Sequence, residues 1–344
     1  MTYARVFLTV LCLICAAAAA APDSLRSLYV GVAPAEQPDA ARQALNQVLV
    51  RLTGRVGADL VQTLEIGQAR AESMIVGRMY REAEQIDADG KIRRQRLLEL
   101  EFDPRAVNAV LEQAGLARWG QAERPVLLVW VAVERDSVPE LAEGDALLEQ
   151  ALDSAAFRYG LELVRPILDA RDRLEVTAAD IRGGFIDVAL DAMRRYGAGG
   201  VVFLDLRRGE AWWSGRFTWR VGELEQSFER SGADPAEVID RGIGRIAETL
   251  AARFAVRYDT ERPVRLVVAG LQLPSQYLEV RRFLERLTGV RQVRVLGAEA
   301  DRMEFEVITA THDLRSRIEL AGPLQFERAE PGTGRLHYRF SFRP

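Results

Sequence analysis

The chain has 344 residues, of which 48% are apolar, 8% aromatic and 28% charged. Such proportions exclude a wholly disordered chain and a multi-span membrane protein, and the length gives room for two or three domains with separate cores. With 46 basic residues against 50 acidic ones the net charge is −4, which argues against general nucleic-acid binding.

Residues 1–21 read as a signal peptide. Arg5 supplies a weakly positive start, Val6 to Ile14 a short apolar stretch, and Ala16 to Ala21 the small residues behind which a signal peptidase cuts. The apolar stretch falls short of the roughly 20 residues a spanning helix needs. Both cysteines, Cys12 and Cys15, lie here, and neither follows the small residue of a lipoprotein box. The mature chain is therefore expected to have no disulfide, no thiolate nucleophile and no cysteine-bound metal.

The next segment, 22–120, opens with a strand pattern at Leu28 to Val32. Ala41, Leu45, Val48 and Leu52 then recur at helical spacing, with Gly54 placed for a left-handed cap. Residues 74–84 and 91–102 read as two strands joined by an Asp87-Ala-Asp-Gly90 turn, and Asp103-Pro104 opens a helix with Asp as N-cap and Pro at N1. In 121–260, Val126 to Val133 is a strand buried on both faces, and Leu141, Leu148, Leu152 and Ala155 mark a helix. Leu161 to Val164 and Val201 to Leu206 are strands around a helical stripe from Phe185 to Tyr196. Trp213, Phe217, Trp219 and Val221 share one strand face, and Asp234-Pro235 opens another helix. In 261–344, strands at Leu266, Val293, Phe305 and Leu336 to Phe342 alternate with helices capped by Ser275 and Thr311. The expected fold is α+β with a layered α/β middle: three small mixed domains, the last in the ferredoxin-like order β-α-β-β-α-β. The endings Arg51-Leu-Thr-Gly54 and Arg286-Leu-Thr-Gly289 hint that the outer two are related.

The order of several blocks resembles the exported proteobacterial family catalogued as domain of unknown function number two thousand and sixty-six. The blocks are 44–54, Leu100-Glu-Phe-Asp-Pro104, Trp119-Gly120, Arg124-Pro125, Ile181-Arg-Gly-Gly184, Arg195-Tyr-Gly197 and Val268-Ala-Gly270. The resemblance implies export to the Gram-negative envelope and supplies no reaction, cofactor or catalytic residue.

Few residues invite chemistry. His312-Asp313 suggests an oriented base, but adjacent helical residues do not face one another. His337 falls on the polar parity of the last strand. Gly197-Ala-Gly-Gly200 follows a helix and precedes a strand, the opposite polarity to a phosphate loop. Asp87 to Gly90 lacks the later ligands of a calcium loop. Asp205 is the acid nearest to a strand-end crevice position. No catalytic residue, metal ligand or cofactor is assigned. Trp212 shares parity with Ser214, Arg216, Thr218 and Arg220, an aromatic beside arginines fit for a glycan or a protein partner. Residues 263–344 carry 13 arginines against 10 acids, with Arg281, Arg282 and Arg286 clustered.

The expectation is a periplasmic, non-catalytic accessory or scaffold protein. It would meet an envelope protein or anionic envelope polymer through Trp212, Arg216 and Arg220 and through Arg281, Arg282 and Arg286. A carboxylate-based hydrolase of an envelope polymer and a structural subunit of a larger assembly are the alternatives.

Overall fold

The computed structural model describes residues 28–86, 92–121, 123–135, 137–257, 261–310 and 314–341. The expected signal peptide with both cysteines, the expected 87–90 turn and the expected cap at Thr311-His312-Asp313 lie outside these residues.

The first unit contains β1 (Val30–Pro34), α1 (Ala40–Thr53), α2 (Leu60–Thr63), α3 (Gln68–Ser73), β2 (Ile75–Ile86), β3 (Ile92–Phe102) and α4 (Pro104–Gln113). Its antiparallel sheet has the order β1-β3-β2. Ala44, Leu45, Val48, Leu49 and Leu52 bury the inner stripe of α1 against Leu100 and Phe102 of β3. Gly54 takes the left-handed cap at φ +68, and its missing side chain matters twice: a Cβ there would lie 2.0 Å from that of Ala251 in the next unit. Asp103 caps α4 by accepting from the Arg105 N–H, with Pro104 at the first helical position.

The middle unit runs through β4 (Val126–Arg135), β5 (Val138–Leu141), α5 (Ala146–Tyr159), β6 (Glu162–Val164), α6 (Ala170–Glu175), α7 (Ala178–Gly183), α8 (Leu190–Arg195), β7 (Gly200–Arg208), β8 (Trp213–Val221), β9 (Leu224–Gly232) and α9 (Pro235–Phe254). Its sheet order is β5-β4-β7-β8-β9, with β6 also on β4. Strands β4, β6 and β7 are parallel, and the rest pair antiparallel. Helices α5 and α9 cover one face, over Phe217 and Trp219. The α6–α8 region covers the other, chiefly over β4 and β7 around Trp130 and Phe203, and reaches Leu141 of β5 and Thr218 of β8. Two expectations shift here. Leu141 ends a strand and the helix starts at Ala146. The Phe185–Tyr196 stripe breaks, because Gly184 at φ +71 turns the chain into a single 3₁₀ turn before α8 and leaves Phe185 in solvent.

The last unit has β10 (Arg262–Ala269), α10 (Pro274–Arg286), β11 (Val290–Glu299), β12 (Arg302–Thr309), α11 (Leu314–Ala321), β13 (Leu324–Ala329) and β14 (Leu336–Phe340). The β-α-β-β-α-β order is present with one strand more: β13 and β14 form a hairpin, and β14 inserts parallel to β10 in the order β11-β12-β10-β14-β13. Helix α10 begins at Pro274. Ser275 lies inside its first turn, and Gln276 Oε1 accepts the N–H groups of Gln272 and Leu273 in its place. The first three strands of the outer units share the order 1-3-2, as relatedness would require. The whole is a multi-domain α+β protein with three sheets.

Candidate functional site

In a doubly wound sheet, ligands bind where successive crossovers leave in opposite directions, at the carboxyl ends of the parallel strands. Here β4 leads through α5 to β6 on one side, and β6 leads through α6–α8 to β7 on the other. The switch point therefore lies between the ends of β4 and β7. Glu134 of β4 and Asp205 and Arg207 of β7 stand there, with Arg182 from α7. Asp205 is fully buried; its Oδ2 accepts from Arg207 Nε and Nη2 at 2.9 and 2.7 Å and lies 3.5 Å from Arg182 Nε. Arg182 Nη2 also donates to Glu134 at 2.7 Å. Asp205 thus fixes two half-exposed guanidiniums, an occupation that adds to the strand-end role the sequence suggests.

Beside the switch point, the face of β8 and β9 carries the first half of the predicted surface; Gly184 and the 3₁₀ turn behind it cover its Thr218–Arg220 part, where Thr218 is buried, and the rest is open. Trp212 lies in the β7–β8 hairpin, one residue before β8, and is 67% exposed. Arg216 faces Glu229 across the strands and donates through Nε and Nη2 at 3.0 and 2.9 Å. Thr218 and Ser227 share a hydroxyl hydrogen bond of 3.0 Å. Arg220 Nε donates to Glu225 at 2.7 Å, and its Nη1 donates to Asp187 at 2.6 Å. These bonds raise the Arg220 pKa. Phe185, 62% exposed, follows Gly184, which packs against Thr218. The arginines expected beside Trp212 are held by carboxylates, Glu229 and Glu225 on the facing strand and Asp187 in the 3₁₀ turn, partners that sequence parity does not reveal.

The second half lies on α10, a helix of another domain. Arg281, Arg282 and Arg286 occupy the side opposite the buried Val280, Phe283 and Leu284. Arg281 donates to Glu285 at 2.8 Å, whereas Arg282 and Arg286 are exposed with no ion pair among the described residues. His337 is half-buried, 3.9 Å from Glu330. Among the described residues no group of three His, Cys, Asp or Glu is placed to hold a metal ion, and no helix is long and apolar enough to cross a membrane.

Sequence reasoning passed over the strongest cluster of buried charge, at the seam between domains. Arg124 donates to the carbonyls of Tyr159, Gly160, Arg51 and Trp119 at 2.8, 3.0, 2.7 and 3.1 Å, and its guanidinium lies 3.9 Å from the Trp119 ring centre. It therefore sits where α1 and α5 both end, a cation against two negative helix termini. Arg51 donates to the carbonyls of Leu28 and Val30 at 3.0 and 2.8 Å. Burial pushes Arg51 down to about 10, and burial together with the charge of Arg51 pushes Arg124 down to about 9, so both stay charged at neutral pH. On the far side, buried Glu123 accepts from Arg317 of α11 at 3.3 Å and from the Thr288 N–H, while Arg317 also donates to the Phe254 carbonyl. A neighbouring open cleft of about 1950 Å³ runs between the first sheet and the edge of the middle one, lined among others by Val32, Leu97, Phe157, Glu162 and Arg245. Burial raises the Glu162 carboxyl there. Burial, then Asp240, raises the hydroxyl of Tyr159.

Residues 28–120 match the model of a family described as a domain of unknown function (DUF8605). This corrects the resemblance drawn from the sequence, which pointed to a different family of unknown function. The blocks that carried it have packing reasons of their own: Gln47 hydrogen-bonds both main-chain groups of Val32, Asn46 caps α2, and Arg51, Gly54, Trp119 and Arg124 build the seam. No curated protein matches the chain. Among solved structures, the chain is similar to the Protein Y N-terminal domain of Thermus thermophilus, with 10% identity over 37% of this chain and 94% of that one, at a TM-score of 0.20. It is also similar to the prolyl-tRNA synthetase of Cryptosporidium parvum complexed with halofuginone and AMPPNP, with 12% identity over 67% of this chain and 50% of that one, at a TM-score of 0.21.

Proposed function

We propose that the protein is exported to the cell envelope and works there by binding, as a non-catalytic accessory or scaffold module whose contact surface is the open part of the β8–β9 face. The signal-peptide pattern of residues 1–21 supports export. The observation that carries the binding reading is Trp212, a large aromatic left two-thirds in water at the β7–β8 hairpin, four residues before Arg216. Tryptophan is ordinarily well buried and is enriched where partners dock. A photo-crosslinking residue at the exposed Ser227 position in intact cells should capture a discrete envelope component, and Trp212→Ala should abolish the adduct. Capture unchanged by that substitution would reject the surface.

One observation favours a second reading, a carboxylate hydrolase of an envelope polymer. Glu162 lines the interdomain cleft and holds its proton more tightly than an ordinary carboxyl, as a general acid must. Release of reducing ends from cell-wall material by the wild-type protein, and none by Glu162→Gln, is the result that reading requires.

A further inference from the structure

We propose that the β8–β9 face binds an uncharged saccharide chain, an inference that rests on reading this face as the contact surface and supplies its ligand class. The strand register sets out the surface in rungs: Ser214 with Ser231, Arg216 with Glu229, Thr218 with Ser227, Arg220 with Glu225, of which Thr218 is buried under Gly184 and leaves Ser227 as the exposed member of its rung. Exposed aromatics stand towards both ends, Trp212 before the first rung and Phe185 by the Thr218 rung. From position 212 to position 218 is about 20 Å along the strand, room for several sugar rings. A pyranose offers an apolar C–H face and a rim of hydroxyls, each at once donor and acceptor. An exposed aromatic takes the first. The second needs fixed donors and acceptors side by side, which the Arg216–Glu229 pair provides: two guanidinium N–H groups are held on Glu229 Oε1, which leaves the other N–H groups and the second carboxylate oxygen for a ligand.

Charge decides between ligand classes. Arg216 and Arg220 face Glu225, Glu229 and Asp187, two positive charges against three negative. A surface with its guanidiniums already engaged and a slight negative balance repels a polyanion, which excludes the anionic polymer expected from the sequence as the ligand of this face. It costs a neutral chain nothing.

The test is calorimetric titration of the mature full-length protein with N-acetylglucosamine hexamer, cellohexaose and a galacturonate hexamer. Saturable binding of at least one neutral hexamer is expected, weakened tenfold or more by Trp212→Ala, less by Phe185→Ala, and unchanged by Arg282→Glu on α10. All three positions are exposed, and unchanged melting temperatures will show that the variants fold. The proposal fails if neither neutral hexamer binds at millimolar concentration, if only the galacturonate binds, or if Trp212→Ala binds as the wild type does. Should it fail while the Trp212-dependent adduct at position 227 persists and contains a protein, the contact face stands and the ligand class falls. Loss of both results removes both.

Discussion

Removing Arg317 is the severest single test of how the C-terminal domain is held. Its guanidinium, 4% exposed, joins Glu123 and the Phe254 carbonyl, so it ties α11 to both the interdomain segment and the end of α9. In Arg317→Met, Glu123 loses its ion-pair partner and keeps the Thr288 N–H as a hydrogen-bond donor to its buried charge. Breaking one side of a buried ion pair costs about 3–5 kcal/mol, against about 1 kcal/mol or less for an exposed pair such as Arg281–Glu285. Glu123→Gln alone takes the buried carboxylate from the guanidinium, which still donates to the Phe254 carbonyl, and should cost a similar amount. The double variant Glu123→Gln/Arg317→Met removes both charges of the pair, and its cost should fall at least about 1 kcal/mol below the sum of the singles. Urea unfolding monitored by tryptophan emission suits the purpose, since Trp119 Nε1 donates to the Glu123 carbonyl at 3.3 Å and reports on the seam itself. Each single variant should lower the midpoint and split off an early transition of the last domain. Single costs below about 1 kcal/mol, or strict additivity in the double, would refute the account.

Three further outcomes follow from the same region. Gly120→Ala places a Cβ 1.7 Å from Thr288 Oγ1; thermal melts should show a loss of about 1–3 kcal/mol, partly restored by adding Thr288→Ala. Arg124→Lys keeps the charge but loses the planar fork that serves four carbonyls, for a cost of about 2 kcal/mol in chemical denaturation. Glu162, whose folded pKa is raised, binds its proton more tightly folded than unfolded, so its contribution to stability is full at acid pH and falls as pH rises from the unfolded pKa through the folded one. Glu162→Gln should therefore flatten the stability profile across that window and be slightly stabilising at neutral pH, with an NMR titration of the wild-type carboxyl showing a midpoint above the ordinary range.

What the sequence made legible was local. Asp103-Pro104, Asp234-Pro235 and Gly54 mark helix ends because cap chemistry acts within a few residues, and the main strands of each sheet follow from their apolar runs. The strands β5, β9 and β13 and the short helices α2, α3, α6 and α7 were not named, being brief or set by neighbours rather than by periodicity. The site was half legible: parity placed Arg216, Thr218 and Arg220 on one face beside Trp212, but not the strand that neutralises them. The seam was illegible for a plainer reason. Glu123 and Arg317 lie 194 positions apart, and Arg51 and Arg124 are bound mostly by main-chain carbonyls, which leave no mark in a residue pattern.

The segment around Trp119 and Arg124 has a practical corollary for dissecting the molecule. The family match stops at residue 120. A cut there would send Trp119 and α1 away with one fragment and leave Glu123, Arg124 and α5 with the other, so that α1 loses the cation at its end and Arg124 loses the Arg51 and Trp119 carbonyls. A fragment carried on to about residue 126 would keep Arg124 yet still want the α5 carbonyls it serves. Pieces of this protein should accordingly be harder to obtain in folded form than the whole, even though each has a sheet and a core of its own.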